Sequence, residues 1–182
     1  MTTNEPRPVT VRRVRADEWR EVKELRLAAL QDPVAHLAFL ETHDEAAAKP
    51  DGFWRGRAEG AASGGPVAQY VAVDDDGRWL GTVTGLLEEP GQDSALGGAV
   101  QRRQVHLVGV FVRPEARGAG ILQRLFAAAQ GWGREQGVEL ARLCVHVDNS
   151  RARAAYLKAG FAPSGTTFTL DAGEELEMVR PL

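Results

Sequence analysis

The chain of 182 residues is long enough to bury one sizeable core and short for two domains. Apolar residues make up 43% and charged residues 26%, the proportions of a globular protein rather than a disordered or fibrous one. A net charge of −3 supplies no overall basic footprint for nucleic acid, and there is no run of about 18 apolar residues to span a membrane.

In chain order, residues 1–8 carry prolines among polar neighbours and read as a flexible tail, leaving 9–182 as one domain. The opening MTTNEPRPVTVRRV lacks the apolar core of a secretory leader, so the expected location is cytoplasmic. VTVRRV alternates as a strand. Asp17 is the expected N-cap of a helix, because Trp19, Val22, Leu25, Leu27 and Leu30 follow at helical spacing and Asp32-Pro33 marks an end. Residues 34–59 predict one or two short helices, broken near Pro50-Asp51-Gly52. Past the connector AASGGP, two β-rich runs flank Asp76-Gly77 as a hairpin. PGQDSALGGAVQRRQ is a loop of about fifteen residues, long enough to be either mobile or functional.

VHLVGVFV is nearly all apolar, as a strand in the middle of a sheet requires. The helix after it places Ile121, Leu125, Ala128 and Trp132 on one stripe and ends at Gly137. ARLCVHV is another buried strand, and its Cys144 is the only cysteine, which excludes an internal disulfide and a multi-cysteine zinc site. In that alternation Cys144 reads as core packing rather than as a nucleophile. Asp148-Asn149 starts a helix with Ala152, Ala155, Tyr156 and Ala159 on one face, closed by Gly160. SGTTFTL and ELEMVRPL finish as strands around Asp171-Ala172-Gly173. The strand–helix–strand unit over 105–147 forces a parallel pair, whereas the other neighbours are hairpin-like. The expected fold is α/β (α+β): a mixed, mostly antiparallel sheet of six to seven strands, with about four helices on its faces.

The stretch VRPEARGAGILQRLF ends a strand, bends at glycines and enters a helix. A helix N-terminus exposes unpaired N–H groups and the positive end of the dipole, and glycines let backbone approach a ligand closely. The bend suits a phosphate. It is not a nucleotide-triphosphate loop, for want of the lysine, nor a dinucleotide fingerprint, since Gln123 stands where a third glycine belongs. Without further context, it also reads as a plain strand-to-helix turn.

Val112-Arg113-Pro114 followed by Arg117, Gly118, Ala119, Gly120, Ile121 and Leu122 resembles the V-x-P and R/Q-x-x-G-x-G/A signature of the GNAT superfamily of acyl-CoA-dependent N-acyltransferases. NSRARAAYLKAGF is similar to that family's second element at Asn149, Ala152, Tyr156, Gly160 and Phe161. The last small position of the first motif is Leu122. The resemblance implies a single GNAT-like domain whose central parallel pair is splayed, with acetyl-CoA as co-substrate and its pyrophosphate on the amides of 117–122. It implies screening charge from Arg113, Arg117 or Arg124, and backbone contacts to pantetheine from Val110, Phe111 and Val112. Gly109 stands where the family has a strand-splaying bulge, with the Val110 N–H facing the thioester oxygen. Asn149 is implied as a helix cap and coenzyme contact.

Attack of an alkyl amine on a thioester costs about 4–5 kcal/mol for deprotonation at neutral pH. By the resemblance, Tyr156 is the acid that protonates the departing thiolate; its bland alternative is core packing. His106, on the strand before Gly109, reads either as the base, acting directly or through water, or as a buried polar residue. His146 with Asp148, and Glu88 with Glu89, are weaker candidates. Glu41, His43, Asp44 and Glu45 form an acidic lip that would favour a cationic amine, or a solvated face. The implied reaction is acetyl transfer to a primary amine by direct attack, the amine belonging to a small molecule. A protein lysine or N-terminus is the sibling reading, and a non-catalytic acyl-CoA sensor is the rival. The family also implies a possible homodimer; no nucleic acid, membrane or metal is expected.

Overall fold

The computed structural model describes residues 8–182, so the tail expected over 1–8 lies, but for Pro8, outside the described residues. A single seven-stranded sheet runs in the order β1-β2-β3-β4-β5-β7-β6. Its strands are β1 (Val9–Arg13), β2 (Val67–Asp74), β3 (Trp79–Glu88), β4 (Gln104–Val112), β5 (Leu140–His146), β6 (Ala162–Leu170) and β7 (Gly173–Pro181). All neighbours are antiparallel except β4 and β5. Among the described residues six α-helices flank it: α1 (Trp19–Leu30), α2 (Ala35–Ala38), α3 (His43–Ala47), α4 (Asp51–Ala62), α5 (Ile121–Glu135) and α6 (Ser150–Lys158).

The helix count exceeds the four expected because residues 34–62 hold three helices. Thr42 starts α3 through a capping box with Glu45, and Pro50 stands at the N-cap of α4, which buries Trp54, Ala58 and Ala61. Asp17 does not cap α1. The N-cap is Glu18, whose carboxylate instead binds Arg12 and the Arg15 N–H. The long loop is pinned: Ser94 N–H donates to Gly98 O, and Arg142 donates to Ser94 Oγ and Gly97 O.

Two apolar clusters form. One packs α5 and the inner face of α6 on the sheet through Leu125, Phe126, Trp132, Tyr156 and Phe161; the other packs α1, α3 and α4 through Leu25, Ala46, Trp54, Val71 and Trp79. The feature that places the site is an irregularity between them. Thr84 faces Val108 and Thr82 faces Phe111, so Val83 alone opposes both Gly109 and Val110. Gly109 takes φ +61°, which a side chain would resist. The parallel pairing of β4 and β5 covers only Val105–Ala141 and His106–Arg142, and the strands part beyond it. The splay opens a cleft in the middle of the sheet.

Candidate active site

Two chambers meet at the splay. The larger, about 560 Å³, runs from β4 to the N-terminus of α5 and along α6. The smaller, about 260 Å³, lies among α1, α2, α4 and the ends of β4, β5 and β7. Ala38, Phe39, Val110, Asn149 and Tyr156 line both, so they form one bipartite cleft.

Chain entry into α5 is made by Gly118 and Gly120, at φ +80° and +74°, after a single 3-10 turn at Pro114–Ala116. A Cβ at either glycine would meet nothing within 4 Å, so neither is there for close packing. The N–H groups of residues 118–123 form no hydrogen bond among the described residues, while Arg124 N–H is the first to bond back, to Gly120 O. A row of free amides at a helix N-terminus is an anion cradle.

Val110, Phe111, Val112, Arg117, Gly118, Gly120, Ile121, Leu122, Asn149 and Tyr156 all line the larger chamber. Ala119 does not. Leu122 divides itself, lining the chamber while packing against the core. Asn149 Oδ1 accepts from Ala152 N–H at 3.2 Å and so caps α6.

Of the three arginines suggested for charge screening, only Arg117 lines the chamber. Its Nη2 bonds Asp32 Oδ2 at 2.5 Å, and Arg151 Nη2 bonds Asp32 Oδ1 at 3.1 Å. Desolvation opposes ionisation of Asp32, but hydrogen bonds from Arg117, the Val34 N–H and Arg151 outweigh it and hold the carboxyl below its ordinary value. The rim therefore carries two arginines against one carboxylate. Arg113 turns to Trp79 O and Glu24, and Arg124 to Val9 O. In the sequence Asp32 reads only as a helix terminator; its role comes from the distant partners Arg117 and Arg151.

Tyr156 is buried, and its hydroxyl has no hydrogen-bond partner among the described residues. Burial pushes the phenol above its ordinary value, so it holds its proton through the neutral range. Cys144 lines the smaller chamber, but burial pushes its thiol up to about 12, which leaves it without thiolate at neutral pH.

His106 is not brought to the cleft. Its ring is fully buried and lines neither chamber, with Nδ1 2.9 Å from Glu88 Oε1 and Nε2 3.8 Å from Cys144 Sγ. Burial lowers its pKa despite Glu88. Glu88 is also buried, though less completely. Desolvation is outweighed there by hydrogen bonds from His106, Gln104 and the Ala95 N–H, which hold it down to about 2. Glu89 pairs with Arg103. His146 is spent on structure: Nε2 reaches Ala172 O at 2.9 Å, and Nδ1 accepts from the Asp148 N–H at 3.1 Å.

The acidic lip does not form. Glu41 is bound by Arg26 and Lys49, Glu45 is held in the α3 capping box, and the chamber wall on that side presents Arg26, His36 and Arg57. The smaller chamber also contains Glu175 of β7. In the sequence, ELEMVRPL shows only a strand, because nothing local says which of its carboxylates faces a cavity.

The cleft, the amide cradle and the splayed strands agree with what comparison with known proteins finds. The acetyltransferase (GNAT) family model matches residues 19–161, and the chain belongs to that family. It is an acyltransferase of that family. A GNAT-family acetyltransferase from Streptococcus pneumoniae shares the fold at TM-score 0.75 and 15% identity, over 96% of this chain and 100% of that one. The PaiA N-acetyltransferase from Thermoplasma acidophilum, solved with coenzyme A, gives 0.74 and 16%, over 96% and 99%. A phosphinothricin acetyltransferase from Sinorhizobium meliloti, solved with acetyl-CoA, gives 0.69 and 19%, over 96% and 88%. None of the curated proteins matches the sequence significantly.

Proposed function

We propose that the protein moves the acetyl group of acetyl-CoA to a primary amine on a small molecule, by direct attack with both substrates bound. The observation that carries this reading is the row of unpaired N–H groups over residues 118–123 at the mouth of the larger chamber. These amides, with Arg117 and Arg151, suit a diphosphate. Val110, Phe111 and Val112 lie on the edge of β4 that β5 leaves bare, where an extended pantetheine arm can lie like an added strand. The Val110 N–H then takes the developing oxyanion, and Tyr156 protonates the departing sulfur. His106 acts on this reading from behind, fixing β3 to β4 through Glu88 rather than touching substrate.

Direct attack is favoured because the one thiol at the cleft is not ionised. A chamber of about 260 Å³ lies below the roughly 300–1,000 Å³ usual for drug-sized ligands, which favours a small acceptor. The name of one structural neighbour, phosphinothricin acetyltransferase, points to small molecules too. The test is the initial-rate pattern with both substrates varied. Intersecting lines are expected; parallel lines would require an acetylated enzyme and overturn direct attack.

A further inference from the structure

The smaller chamber holds two charges of opposite sign that the described residues leave unanswered. Glu175 is only 7% exposed, yet its carboxylate forms no hydrogen bond or ion pair among the described residues. Its cross-strand neighbour is His146, whose two ring nitrogens are already taken by Ala172 O and the Asp148 N–H. Desolvation raises the Glu175 pKa, and the nearby His146 only moderates this. Arg57 of α4, which lines the same chamber, also has no ion-pair partner among the described residues. Its neighbour Arg26 is bound to Glu41 at 2.7 Å and lies 4.3 Å over the Phe39 ring. Burial, then the like charge of Arg26, lowers the Arg57 pKa, and Glu41 opposes this weakly. A buried carboxylate and a half-buried guanidinium without counter-ions are costly, and a cavity that keeps both is shaped for what completes them.

We infer that the acceptor is a small zwitterion, an amine whose nitrogen lies against Glu175 and whose anionic group, of the carboxylate class, pairs with Arg57. The inference rests on the acetyl-transfer reading and narrows it to an amino-acid-sized substrate. A polyamine would set a second cation against Arg57, which also faces Arg26 and His36 on that wall. Tyr156 lines the chamber beside Glu175, so the amine meets the thioester at the junction of the two chambers. The ammonium gives one proton to Glu175, and the nitrogen attacks the acetyl carbonyl carbon. The C–N bond forms, the C–S bond breaks, and sulfur takes the Tyr156 proton. The second proton lost by nitrogen restores Tyr156, while Glu175 releases the first to water.

The test follows thiol release from acetyl-CoA with the common amino acids, each beside its carboxamide and the amine lacking the carboxylate, with spermidine as the polycation. Coenzyme A binding is measured on the same protein by calorimetry. At least one amino acid should be acetylated with kcat/KM about tenfold or more above its carboxamide. Arg57→Gln should erase that preference by raising KM with kcat within about twofold, and Arg57→Lys should restore part of it. Glu175→Gln should lower kcat about tenfold or more while coenzyme A binding is kept. Coenzyme A binding with no acid acetylated, acids no better than their carboxamides, or a preference that survives Arg57→Gln would each overturn the inference alone. Loss of coenzyme A binding in the wild type is a different result, which overturns the acetyl-transfer reading and this inference with it.

Discussion

Tyr156 sits where the two chambers join, with a phenol that burial keeps protonated and a hydroxyl that no described residue engages. A proton so held is available to a thiolate, whose own pKa near 8.5 makes help useful but not indispensable. Tyr156→Phe is therefore expected to lower kcat about tenfold or more, with coenzyme A affinity within about threefold of wild type. Steady-state kinetics with calorimetry checks this, and an unchanged kcat removes Tyr156 from the acid role. At this scale the sequence was informative where a motif surrounds the residue, as for Tyr156 and Asn149. It could not separate His106 as a base from His106 as a buried polar group. That choice depends on Glu88, eighteen positions away in the chain and adjacent only because β3 and β4 pair.

The element that matters most is the bend into α5. Its glycines hold left-handed backbone beside open space, and the conformation, not the packing, demands them. Gly120→Ala should cost about 1–2 kcal/mol of stability from backbone strain and weaken coenzyme A binding about tenfold. Thermal melting and calorimetry read the two effects separately; a variant with wild-type affinity would show that the cradle does not need this geometry. The strands and long helices were legible because apolar spacing of 2 or 3.6 is a local signal. The segment 34–62 was less so. Its α2 and α3 are too short to show a period, and α4 contains three glycines whose low propensity is overridden by burial of Trp54.

Across the whole molecule, the splay is sustained by a buried polar set on the closed side of the cleft. His106, Glu88, Gln104, Ser94 and Arg142 hydrogen-bond one another and bind β3, β4, β5 and the long loop together. Both titrating members make the fold acid-sensitive. His106 has a lowered pKa, so the unfolded chain takes up a proton that the folded one resists, and stability falls as pH drops below about 6.5. Glu88, held near 2 against an ordinary 4.5, adds stability that is complete above pH 4.5 and lost between about 4.5 and 2. The melting temperature should therefore decline below pH 6.5 and more steeply below 4.5. Glu88→Gln should flatten the lower limb and cost about 3 kcal/mol at neutral pH; an unaltered limb would place the acid sensitivity elsewhere. No local pattern announced this network, since its members come from four separate segments.

These scales converge on one physical claim, that the free amides of residues 118–123 hold the diphosphate of a coenzyme laid along the bare edge of β4. Isothermal calorimetry of the folded protein with coenzyme A tests it most directly. The account predicts saturable one-to-one binding that Gly120→Ala weakens and Tyr156→Phe does not. Heat no greater than dilution at millimolar coenzyme A would contradict it.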